Sequence, residues 1–166
     1  QGLREVNVNS GEVNIIFTQT FKRAAFDQES NFLALILDQA NAAKEGLTAG
    51  IYGFHAESPN LQLIRAGDFH HLAWNPDGMF IASGPSGVFG FPPEGIGFFL
   101  SAEENASLSP SGNWMIAWGP GPDNTHGARL YQTPANKPLQ TLLSSKVETV
   151  VWQPDSRGML ILSEGT

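Results

Sequence analysis

The 166 residues suit one domain or one segment of a larger protein, and a hydrophobic content of 41% is enough for a core. Nine Lys and Arg against 16 Asp and Glu give a net charge of −7 with no cluster of cations, which excludes a nucleic-acid partner. The absence of cysteine excludes disulfides and thiolate metal sites, and no apolar run approaches the ~18 residues of a membrane span.

The acidity reads as a solvated surface, with a cation or basic partner as the alternative. A cysteine-free, soluble chain fits the cytoplasm and the periplasmic or extracellular space equally. No signal-peptide pattern is visible. A start at Gln1 rather than Met suggests a processed product or a piece of a longer protein. With 18 Gly and 11 Pro, turns are frequent and an all-β fold is favoured.

In chain order, residues 3–8 and 12–17 alternate apolar and polar around Asn9-Ser10-Gly11 and form a predicted hairpin. A short strand at 23–26 then meets the polar turn Gln28-Glu29-Ser30-Asn31 and the apolar run 32–37. Strands at 51–55 and 61–64 follow. The layout returns with 71–74, the turn Asn75-Pro76-Asp77-Gly78, and strands at 79–82, 88–91 and 96–100. It returns again with 105–108, Ser109-Pro110-Ser111-Gly112, and strands at 114–118, 128–132 and 139–143. It closes on 148–152, a turn from Gln153 to Gly158, and 159–162. In these turns Pro presets φ, Asp bonds its own backbone and Gly accepts a positive φ. The apolar runs at 32–37, 79–82, 114–118 and 159–162 read as strands buried on both faces.

The recurring unit starts at Phe26, Trp74, Leu108 and Trp152, so successive starts lie 48, 34 and 44 residues apart. A period of about 40–50 residues marks propeller blades or a similar array. Naming the four strands of a unit a, b, c and d, the chain opens on a c–d pair and closes on an a–b pair. The expected fold is an all-β propeller of four-stranded antiparallel blades: half-blade 1–18, blades 22–65, 70–101 and 104–143, and half-blade 147–166. The two halves are complementary. They could join within one chain as a four-bladed ring, through self-association as an eight-bladed ring, or as part of a longer propeller. A ring completed beyond this chain is favoured, because four blades demand steep packing.

Trp74-Asn75-Pro76-Asp77-Gly78, with the c and d strands that follow, resembles the repeats of TolB-like, WD-repeat-like β-propellers. The Asn9-Ser10-Gly11-Glu12 turn is similar to the D-x-x-T/S-G-E turn of those blades. Gln28-Glu29-Ser30-Asn31 and Ser109-Pro110-Ser111-Gly112 depart from the Pro-Asp-Gly pattern but keep its turn chemistry. The resemblance implies a non-catalytic binding scaffold, with a substrate-gating segment of a prolyl-oligopeptidase-like hydrolase or a glycan-binding propeller as alternatives.

In such a fold the d–a and b–c connections emerge on one face around the central channel. The d–a segments carry Arg23, Asp68, His70, His71, Glu103, Glu104 and Lys146, which are the candidate binding residues for a protein or small-ligand partner. The b–c loops 39–49 and 119–127 flank the same face, and Ala-rich 39–45 suits a helical turn over the opening. No catalytic residue, metal ligand or cofactor is expected. There is no G-x-S-x-G elbow or nucleotide fingerprint, and His70 and His71, adjacent on a strand, point to opposite faces. Trp74, Trp114, Trp118 and Trp152 are expected to fill the wedges between blades, with Trp118 the candidate for stacking on a sugar.

Overall fold

The computed structural model describes residues 3–27, 32–55, 58–92, 97–120, 126–133 and 138–164. The expected turn at 28–31, the start of the strand at 96 and most of the loop 119–127 lie outside the described residues. The chain forms two compact units, Gln1–Asp68 and Phe69–Thr166.

The first unit opens with β1 (Leu3–Val6) and β2 (Val13–Phe17), an antiparallel two-stranded sheet. Its turn is tied by Asn7, whose Oδ1 accepts from the backbone N–H groups of Asn9 and Ser10 at 3.0 and 3.1 Å, while Gly11 adopts φ +73°. A four-stranded antiparallel sheet follows: β3 (Arg23–Asp27), β4 (Phe32–Leu37), β5 (Gly50–His55) and β6 (Ser58–Ala66). Leu33, Leu35, Leu37, Tyr52 and Phe54 form its core, and Leu3, Ile16 and Phe17 of the first hairpin pack against them. Each large apolar side chain so covered contributes about 1.5–3 kcal/mol.

Between β4 and β5 lies α1 (Gln39–Glu45), as the Ala-rich segment suggests. Asp38 caps it by accepting from Asn41 N–H at 2.9 Å, and Gly46 ends it at φ +66°. Asp38→Ala is expected to cost about 1 kcal/mol. In thermal unfolding that should appear as a Tm drop of roughly 2–4 °C; an unchanged Tm would show that the cap is not holding the helix.

The Tyr52-Gly53-Phe54 pattern has a packing reason. A Cβ on Gly53 would lie 2.3 Å from Cζ of Phe32, so the missing side chain is what allows the Phe32 ring to cross the strand. Gly90 of Phe89-Gly90-Phe91 plays the same part under Phe98.

The second unit holds two four-stranded antiparallel sheets and a hairpin. The first sheet is β7 (His71–Trp74), β8 (Phe80–Gly84), β9 (Gly87–Phe91) and β10 (Phe98–Ser101). The second is β11 (Asn105–Leu108), β12 (Trp114–Pro120), β13 (His126–Gln132) and β14 (Gln140–Leu143). The hairpin is β15 (Val147–Trp152) and β16 (Met159–Ser163). Met79, Ile81, Val88 and Leu100 of one blade meet Met115, Ala117 and Tyr131 of the next. Ile116 and Ala128 of the latter meet Val147 and Val150 of the hairpin. Within the second unit these are the layers of stacked blades, two whole and one half.

The a–b turns repeat one backbone. Gly78, Gly112 and Ser156 take φ +75°, +74° and +61° at equivalent places. Their N–H groups donate to the carbonyls of Asn75, Ser109 and Gln153. The Pro-Asp-Gly turn works differently from the expectation in one respect. The side chain that ties it is Asn75, buried, accepting from Asp77 and Met79 N–H at 3.1 and 2.8 Å. Successive turns touch: Gly112 lies against Pro76 and Asn75, and Ser111 N–H donates to Ser156 Oγ at 2.9 Å.

One strand departs from expectation. β4 and β8 are buried along almost their whole length, but β16 is not buried on both faces: Met159 and Ile161 pack against β11–β14, whereas Leu160 and Leu162 are exposed.

Candidate functional site

The structure does not gather the seven candidate residues into one site. Arg23 is exposed at the start of β3. Asp68 is exposed just beyond β6, following Gly67 at φ +148°. Asp68 borders a cleft of about 500 Å³ whose walls are α1 and the segment after it: Ala42, Ala43, Leu47 and Ala49, with Gln39 and Thr48 as polar lining. Tyr52 fastens this wall by donating its hydroxyl to Thr48 O at 2.7 Å, and Gly67 N–H donates to Ala49 O at 3.1 Å. A b–c loop and a d–a segment therefore meet at one end of the first blade. Arg23 does not line this cleft.

His70 is half-buried, and its backbone N–H donates to Ser83 O at 2.7 Å. His71 is exposed on β7, in register opposite Ser83. His71, but not His70, lines a cavity of about 150 Å³ between the innermost strands of two blades. Ser83 Oγ is buried there and has no hydrogen-bond partner among the described residues.

Glu103 and Lys146 are both engaged. Glu103 is only 3% exposed, and its carboxylate pairs with the Arg129 guanidinium of β13. Tyr131 donates to Glu103 Oε2 at 3.4 Å and shares a 2.9 Å hydrogen bond with Ser101. Arg129 and Tyr131 stand two apart on β13 and so share a face. The neighbouring Glu104 is half-buried. Lys146 is exposed and donates to Glu164 at 2.5 Å, which holds its pKa above the ordinary 10.5. Sequence reasoning named Glu103 but missed Arg129. Asking which carboxylate lies beyond the end of the strand face shared by Arg129 and Tyr131 would have found the pair.

Trp118 packs half-buried in the layer between β11–β14 and the last hairpin. The tryptophans that border open space are Trp114 and Trp152, which line a cleft of about 400 Å³ with Leu130, Met159 and Arg157. Among the described residues, no three His, Asp or Glu gather in a group that could hold a metal ion. No helix among them is long and apolar enough to cross a membrane.

No protein-family profile matches the chain, and no curated protein sequence does. Solved structures do match. The hydrazine synthase of Kuenenia stuttgartiensis aligns at 14% identity and a TM-score of 0.63, covering 95% of this chain and 48% of that one. The C-terminal WD40 domain of Sif2 aligns at 12% identity and TM-score 0.62, covering 96% and 48%. TolB from Acinetobacter baumannii aligns at 12% identity and TM-score 0.56, covering 96% and 47%. The fold is therefore that of the TolB- and WD40-like β-propellers. The chain spans about half the length of the solved structures it matches.

Proposed function

We propose that the chain serves as a non-catalytic binding scaffold that takes a protein partner on the face where its d–a and b–c connections meet. The observation that carries this is the cleft between α1 and Asp68. Its wall of Ala42, Ala43, Leu47 and Ala49 suits a small apolar side chain, and the Asp68 carboxylate at its border suits a cation beside it. A chain of net charge −7 attracts such a segment from a distance. The rigid blade beneath the loops is the arrangement on which binding surfaces are commonly built.

A panel of fluorescent peptides, each an Ala or Val flanked by Lys or Arg, tests this by anisotropy. The reading expects at least one to bind, and Asp68→Asn to weaken it by about tenfold or more, the worth of a charge-assisted hydrogen bond. Ala43→Trp, which fills the cleft, should abolish binding. Failure of every peptide, or binding indifferent to both substitutions, would refute the reading.

A further inference from the structure

The cavity beside His71 has a polar end and an apolar body. It encloses about 150 Å³ between β7 and β8 of one blade and β11 of the next. His71 stands in register with Ser83, so their side chains leave the sheet on the same face. Ala73 and Ile81, the next pair on that face, belong to the apolar layer that joins the two blades. From β11, Ala106 and Leu108 pack into the same layer, and alternation turns Ser107 between them to the other side of its sheet. The side chains that reach the space are therefore a hydroxyl and an imidazole at one end and aliphatic groups elsewhere.

Ser83 makes this more than a packing gap. It is 2% exposed, and its Oγ has no hydrogen-bond partner among the described residues. A buried hydroxyl left in that state is costly, and native folds seldom keep one without a reason. Water alone answers it poorly. The space equals about five waters at their liquid volume, yet each buried water needs about two to four polar partners, and most of the wall offers none. An occupant with a small polar head and a short apolar tail suits both ends. The lining holds no Asp or Glu, which disfavours an ammonium head. The Ser83 O–H and an imidazole N–H of His71 are donors suited to an anionic acceptor. His71 is exposed, which sets the polar end at the opening.

We propose that this cavity is a binding site for a short-chain carboxylate. One carboxylate oxygen accepts from the Ser83 hydroxyl and the other from the His71 imidazole. The alkyl chain lies among Ala73, Ile81, Ala106 and Leu108. At a share of roughly 30 Å³ per non-hydrogen atom the volume takes about five to six of them, the size of propionate or butyrate. The whole site lies inside the unit Phe69–Thr166. It is separate from the cleft beside Asp68, which is lined by other residues and suits the opposite charge. Because the walls come from two blades, an occupant bridges β7 and β8 to β11 and stabilises that junction by mass action.

Propionate and butyrate are the probes, titrated into the 166-residue chain and followed by the NMR shifts of its backbone amides. The expected result is a saturable shift of the β7, β8 and β11 amides with a Kd of about 1 mM or below. Propanol, which has the tail without the charge, should bind at least about tenfold more weakly. Ser83→Ala should weaken propionate by about tenfold or more, the loss of one hydrogen bond to a charged group. His71→Ala should weaken it as well. Ala106→Leu, which fills the cavity, should abolish binding. Should that variant fail to fold, Ser83→Ala still decides, because removing an unpaired buried hydroxyl leaves the chain at least as stable. A cavity that holds water only, seen as no shift with either acid, would overturn the proposal. So would shifts confined to other strands, equal binding of propanol, or a Ser83→Ala variant that binds as the parent does.

Discussion

Replacing Arg129 by Ala is expected to cost about 3–5 kcal/mol of folding stability. The cause is what remains. Glu103 would keep its charge in a site 3% exposed, with one hydroxyl, that of Tyr131, at 3.4 Å. The pair itself is worth far less than its breakage suggests, because taking both ions out of water consumes most of their attraction. The double variant Arg129→Met, Glu103→Met should therefore recover most of the loss, by exchanging the charges for apolar packing. Urea unfolding of the two variants checks both parts. A single variant within about 1 kcal/mol of the parent would mean that Glu103 reaches water.

Gly112→Val is the second large effect, expected at about 2–5 kcal/mol. Gly112 sits at φ +74°, where a β-branched residue is held at a cost of about 1–2 kcal/mol or more. Its new Cβ would also stand 2.5 Å from Cδ of Pro76 and 2.8 Å from Cβ of Asn75, an overpacking that adds roughly 1–3 kcal/mol. Gly112→Ala should cost less than Gly112→Val but remain clearly destabilising. Equal stability of the Val variant and the parent in denaturant titration would show that neighbouring turns do not touch.

The strand order was legible because each signal is local. Gly, Pro and Asn punctuate the turns, and a run such as Leu33 to Leu37 between two of them leaves little choice of conformation. The helix was legible for the same reason: Asp38, an Ala-rich stretch and Gly46 are a cap, a body and a stop. The contents of the candidate site were less so. Glu103 looks like any loop carboxylate until Arg129 and Tyr131 are brought onto it by the stacking of one blade on the next. Asn75 reads as a turn residue, but its burial depends on Gly112 of the following blade. The bare face of β16 was illegible because apolar alternation records which residues prefer cover, not whether a neighbour supplies it.

The two rims of the second unit obey different tolerances. On the a–b side, consecutive turns are wedged and hydrogen-bonded to each other, so an inserted residue there would disturb every blade along the row. The b–c links vary widely in size: one is the two residues Pro85-Ser86, and its counterpart in the first unit holds a whole helix. Diversity, natural or grafted, can accumulate on that side while the frame stays fixed, much as a keyboard accepts new keycaps over an unaltered plate.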